Sequence, residues 1–187
     1  TFIPCTAGNK EEPLEDRIQR YIDTYFQFLI DNLETPFDIY HSQDCVSANA
    51  LWHVSEKGLI PCFIRTIHHV DDFVSPRLIQ CQKDSIYRPE HRLVVSKFWQ
   101  NRLTSDFGVD SHIIYNGVDI GRFIPPTDVQ RKVAREKLDV SGKTVYLNIG
   151  GIEPRKNSIR LVMAFGLAKR QLLIKGLDPI LLIAGGE

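Results

Sequence analysis

Apolar and polar positions follow two periods along this chain, and the switches between them outline its elements. From residue 13 to 33, Leu14, Ile18, Tyr21, Ile22, Tyr25, Leu29 and Leu33 recur at helical spacing, which predicts a long amphipathic helix ended by Pro36. Phe37-Asp38-Ile39-Tyr40-His41 reads as a short strand, and Ser47 to Lys57 as a helix closed by Gly58. Pro61 to Ile67 is an apolar strand followed by a polar loop, and residues 77–87 are helical. Arg92 to Ser96 is a strand, with a helix to Phe107 closed by Gly108, and Ser111 to Tyr115 is the next strand. Further on, residues 129–138 form a charged helix, Thr144 to Ile149 a strand, residues 158–175 a helix and Pro179 to Ala184 a strand. In the helix of residues 158–175, Leu161, Phe165, Ala168 and Leu172 share one face.

Strands alternating with helices, each strand apolar rather than half polar, predict an α/β fold with parallel sheets. The rhythm breaks between Asn116 and Asp128, where Asn-Gly and Pro125-Pro126 make a linker. Two α/β domains are therefore expected, residues 1–120 and residues 121–187. The second holds only two strands, too few to cover both faces of a sheet, and the chain opens on Thr1 rather than Met. The expectation is a piece of a longer protein, with both domains incomplete.

Composition narrows the function classes. Hydrophobic residues make up 43% of the 187, enough for a sizeable core. Lys plus Arg equals Asp plus Glu at 23 each, which gives nucleic acid no electrostatic purchase. No apolar run has the length of a membrane span, and the opening residues do not read as a charged-then-apolar leader. Cys5, Cys45, Cys62 and Cys81 are widely spaced and form no C-x-x-C pair. They read as small buried thiols in a reducing compartment, which predicts a cytoplasmic protein.

Three segments can carry chemistry. Gly150-Gly151-Ile152-Glu153-Pro154-Arg155-Lys156-Asn157 follows an apolar strand and opens a helix. Glycines there let a ligand approach the backbone, Asn157 suits an N-cap, and the helix N-terminus presents unpaired N–H groups. With Arg155 and Lys156 beside it the loop can hold a diphosphate, although an ordinary strand-to-helix turn with two solvated bases has the same pattern. It is neither a dinucleotide fingerprint nor a P-loop. Asn116-Gly117 ends the last strand before the linker and is either a simple turn or a hinge lining a cleft. The third segment is a set of histidines. His41 and His68 end strands, where ligands of open α/β sheets bind, and each can hold a sugar hydroxyl or be a structural histidine. His53, His91 and His112 fall within element bodies and read as structural. No metal-ligand spacing occurs, so no metal site is expected.

Taken in order, these segments resemble glycosyltransferase family 4. Phe37 to Asp44 is similar to the family's D-(I/V)-x-H-x-(H/Q)-D strand end, and Thr66-Ile67-His68 to its T-x-H. Val94-Val95-Ser96-Lys97-Phe98 is similar to V-S-x-F/Y, and Ile114 to Pro125 to an I-x-N-G-V-D segment ending F-x-P. Gly150 to Asn157 resembles the phosphate loop, and Leu182 to Gly186 a glycine-ended strand. The resemblance covers roughly residues 37–187. It implies the GT-B fold, with two Rossmann-like domains, and a retaining hexosyltransferase that moves sugar from a nucleotide-sugar donor, of UDP or GDP type, to a glycan, lipid or small-molecule acceptor. It implies a catalytic His68, a donor-phosphate site of Gly150, Gly151, Arg155 and Lys156, and a cleft and hinge of His41, Asn116 and Gly117. Cations and a helix end, in place of a metal ion, would hold the diphosphate, so no cofactor is expected. A lipid acceptor would leave membrane contact open.

Two features depart from the family pattern: Gly151 stands where many members carry Arg, and Gln43 where some carry a second His. The glycine-rich N-terminal loop and the E-x7-E motif of such enzymes do not occur in these 187 residues, so the isolated chain is expected not to turn over. A GT-B nucleotide-sugar epimerase and a non-catalytic sugar-nucleotide or glycan-binding protein are the alternatives.

Overall fold

A computed structural model describes residues 11–33, 37–152 and 156–185. The chain falls into two compact units that part between Gly117 and Val118. The first contains α1 (Leu14–Asp31), β1 (His41–Ser42), α2 (Cys45–Glu56), β2 (Ile64–Ile67), α3 (Pro76–Tyr87), β3 (His91–Val94), α4 (Lys97–Phe107) and β4 (His112–Ile113). The second contains α5 (Asp128–Lys137), β5 (Thr144–Ile149), α6 (Ser158–Ile174) and β6 (Pro179–Ala184).

The first unit is a four-stranded parallel sheet in the order β1-β2-β3-β4, so each strand pairs with its successor through a helical crossover. The register sets Ile64 opposite His91 and Ile67 opposite Val94. Its interior has two apolar clusters. One gathers Tyr40, Ala48, Leu51, Val54, Ile60 and Phe63, with Phe26, Leu29 and Leu33 packed against it. The other joins Ile67, Ile86, Val94 and Leu103, all fully buried, from two strands and two helices. Burial of such a side chain contributes about 1.5–3 kcal/mol, so these clusters rather than helix propensity hold the layers together.

Local chemistry explains where the helices start and stop. Asp44 caps α2 by accepting from the Ser47 N–H at 2.7 Å, and the helix starts at Cys45, two residues earlier than the apolar pattern alone predicts. Pro76 occupies the first turn of α3, where its missing N–H costs nothing. Gly108 ends α4 in the left-handed conformation at φ 65° and returns its N–H to the Thr104 carbonyl. In the second unit Thr127 and Gln130 cap α5 reciprocally, each side chain accepting from the other's backbone N–H at 3.3 and 2.8 Å.

Three expectations change. The strand read over Phe37 to His41 pairs only at His41 and Ser42, because Tyr40 alone of its apolar residues reaches the core while Phe37 and Ile39 stay exposed. The strand read as apolar buries a cation, Arg65, in its middle. Of the cysteines read as buried, Cys62 is exposed, Cys45 and Cys81 are half-buried, and Cys5 lies outside the described residues.

The second unit pairs β5 with β6 in parallel, in register from Thr144–Pro179 to Ile149–Ala184. α6 connects them, and Tyr146 meets Phe165 of that helix with ring centroids 5.6 Å apart. Leu147, Ile149, Ile159 and Leu167 remain exposed.

Candidate functional site

In the first unit, the carboxyl ends of β1 and β2 stand side by side because the two strands are adjacent and parallel. Four polar side chains meet there. The Thr66 hydroxyl lies 2.8 Å from His41 Nε2. Gln43 Nε2 lies 3.1 Å from the same nitrogen, and Gln43 Oε1 lies 2.9 Å from His68 Nε2. The amide donates toward His41 and accepts from His68, so one continuous hydrogen-bond chain runs Thr66–His41–Gln43–His68. Buried Ser42 of β1 ties the two strands together beneath it, donating to the Ile64 carbonyl at 3.2 Å. His41 and Gln43 are exposed and His68 half-exposed, so the chain faces solvent and can exchange its bonds for those of a ligand. The sequence singled out both histidines. It noted Gln43 only as the occupant of a position where a histidine is common, and did not show it as the bridge.

In the second unit, β5 runs directly into Gly150 and Gly151. The Gly150 N–H donates to the Ala184 carbonyl at 2.8 Å, which holds this turn against the end of β6. A Cβ at Gly185 would fall 2.2 Å from the Gly150 carbonyl oxygen, so only glycine fits opposite the turn. The exposed Lys156 reaches back over it, its Cδ 3.9 Å from where a Gly150 Cβ would be. Behind the turn α6 begins at Ser158, whose buried hydroxyl donates to the Gly151 carbonyl at 3.3 Å. Asn157 occupies the position before the helix, but in the left-handed conformation at φ 57° and without a side-chain capping bond, a change from the expected N-cap. Arg155 lies outside the described residues. The turn offers half-exposed glycine backbone, one cation and the positive end of a 17-residue helix, a set of groups suited to an anion.

A family model, Glycosyltransferase Family 4, matches residues 8–122, more than half of the chain. The chain belongs to glycosyltransferase family 4. No curated protein matches it significantly. Family 4 membership gives a glycosyltransferase-type function in general terms, on an α/β fold with parallel sheets. The matched residues contain the whole Thr66–His41–Gln43–His68 chain and end at Arg122, so the turn after β5 is argued from its own geometry. Asn116 and Gly117 fall within the match as well. Both are exposed after β4, at the point where the units part. Beyond them Asp119 Oδ1 accepts from the N–H groups of Gly121 and Arg122, each at 3.0 Å, and folds the segment into a tight turn.

Among the described residues no three His, Cys, Asp or Glu side chains gather as metal ligands. Among the same residues no helix is long and apolar enough to cross a membrane.

Proposed function

We propose that this family 4 chain serves a retaining transfer of a hexose from a nucleotide-sugar donor, of UDP or GDP type, to a hydroxyl of a glycan, lipid or small-molecule acceptor. The observation that carries the reading is Lys156 folded over the Gly150–Gly151 turn at the start of α6. Cleavage of a donor leaves a diphosphate whose negative charge grows in the transition state. A cation and a helix N-terminus held ready at that position lower the barrier without reorganising. On this reading Lys156, with Arg155 by its place in the motif, supplies the charge that a divalent metal would otherwise supply. The exposed chain His41–Gln43–His68 supports the other half, since an imidazole at a strand's carboxyl end can hold a sugar hydroxyl or steady the charge of the reacting carbon.

Calorimetric titration of the chain with UDP, GDP and ADP tests the reading. One base is expected to bind, and Lys156→Ala is expected to weaken it about tenfold, the loss of one charge-assisted contact. Absence of binding by all three, or equal binding by the variant, refutes the assignment of the turn to a diphosphate.

A further inference from the structure

The thiols of Cys45 and Cys81 face each other with their sulfurs 3.1 Å apart, although 36 positions separate them in the chain. Cys45 is the first residue of α2, immediately after its cap, and Cys81 lies within α3. Asn49 spans the pair: its amide donates to the Cys45 and Cys81 carbonyls at 2.8 and 3.0 Å and lies 3.5 and 3.3 Å from the two sulfurs. Beneath them is Arg65, only 4% exposed. Its guanidinium donates to the Ser85 hydroxyl, while its Nε finds no hydrogen-bond partner among the described residues. A buried guanidinium is costly without an anion. Burial pulls its pKa down, and the negative charge that opposes this comes first from Cys45, then from Asp44. Both thiols are half-buried rather than enclosed, and Cys81 lines a groove of about 230 Å³ together with Asn49, Trp52, Arg77 and Asp84.

We propose that Cys45 and Cys81 form a peroxide-oxidisable dithiol that closes reversibly to a disulfide, stapling the first turn of α2 to α3. Cys45 is the attacking sulfur. Hydrogen bonding from the Cys81 thiol, then from Ser85, and the Arg65 charge together lower its pKa to about 7, against the opposing effects of burial and Asp44. Donating that bond raises the pKa of Cys81, which is also burdened by burial and by Asp84. The Cys45 thiolate attacks one oxygen of hydrogen peroxide, the O–O bond breaks, and the departing hydroxide takes a proton to become water. Cys45 is then a sulfenic acid. The Cys81 sulfur attacks the Cys45 sulfur and expels hydroxide, which leaves as water with the Cys81 proton. Two thiols have lost two electrons in all, and one peroxide has become two waters. Closure removes the thiolate that accompanies Arg65. The reduced form is thereby favoured and the disulfide is easily reopened, the relation that makes a low-pKa dithiol an oxidising couple.

The test uses the chain with Cys5→Ser and Cys62→Ser, which leaves only this pair, and confirms the fold by tryptophan fluorescence. Brief exposure to hydrogen peroxide is expected to abolish the free-thiol titre, lower the intact mass by two hydrogens, keep the chain monomeric and give a peptide linking Cys45 to Cys81. Mild reductant is expected to restore both thiols. With Cys81→Ser added, Cys45 is expected to stop at sulfenic acid, trapped by a dimedone-type reagent. The proposal is overturned if both thiols survive peroxide that consumes free cysteine, if the link forms between chains, or if reductant fails to reopen it.

Discussion

Asp44 joins the fold to the site, since it starts α2 one residue after Gln43, and replacing it has a calculable cost. Its carboxylate accepts from the Ser47 N–H at 2.7 Å and from the Ser47 hydroxyl at 2.8 Å. Loss of an N-cap side chain costs about 1 kcal/mol, and loss of the negative charge at the helix N-terminus about 0.5 kcal/mol more at an exposed position. Asp44→Ala is therefore expected to lower stability by about 1.5 kcal/mol, and Asp44→Asn, which keeps the acceptor, by about 0.5 kcal/mol. Urea unfolding followed by tryptophan fluorescence isolates the relevant unit, because Trp52 in α2 and Trp99 in α4, the only two tryptophans, both belong to the first. At an m value of about 1.5 kcal/mol per molar, the alanine variant's midpoint falls by about 1 M and the asparagine variant's by about 0.3 M, with m unchanged. An unmoved midpoint in Asp44→Ala refutes the capping role, and equal falls in the two variants refute the split between hydrogen bond and charge.

Two further outcomes follow from the same geometry. Gly185→Ala would set a methyl group 2.2 Å from the Gly150 carbonyl oxygen, so the β5 turn must shift; nucleotide affinity is expected to fall while the tryptophan-reported midpoint of the first unit stays put, and unchanged affinity would separate the turn from binding. The thiol pair gives a pH dependence whose sign is fixed by the two directions. Cys45, lowered from 9.0 to about 7, adds stability at pH above the ordinary thiol value and loses it as pH falls through 7. Cys81, raised, adds stability below the ordinary value and loses it as pH climbs past. The reduced first unit is thus expected to gain stability between pH 7 and about 9 and then to lose it, and its urea midpoint should lose that rise in Cys45→Ser.

Much of the element order was readable from periodicity, since β5 and β6 fall on the residues their apolar runs mark and Gly58 and Gly108 close the helices they follow. The departures have physical causes. Phe37 and Ile39 carry the alternation of a strand, yet pairing partners for β1 begin only at Ile64, so apolar side chains outside that register remain exposed. Periodicity does not mark Asp44 as a cap, because the apolar pattern of α2 becomes regular only after Ser47. Asn157 has the residue type of an N-cap, but type alone does not fix φ. At the candidate site, strand ends located His41 and His68, whereas Gln43 as their bridge depends on how β1 and β2 sit side by side. The Cys45–Cys81 contact and the burial of Arg65 beneath it are products of packing between α2, α3 and β2, and no spacing along the chain encodes them.

An amide has one accepting end and one donating end, so Gln43 makes its two imidazole neighbours unlike. With its oxygen toward His68, that ring keeps a hydrogen on Nε2 while His41 keeps a lone pair there. In the opposite orientation of the amide its two ends exchange places. The turned amide offers His41 its oxygen and offers His68 an N–H, which only an Nε2 without a hydrogen can receive. A ligand that fixes either neutral histidine as donor sets the other as acceptor, so two neutral rings can read a pair of hydroxyl groups in only two complementary ways.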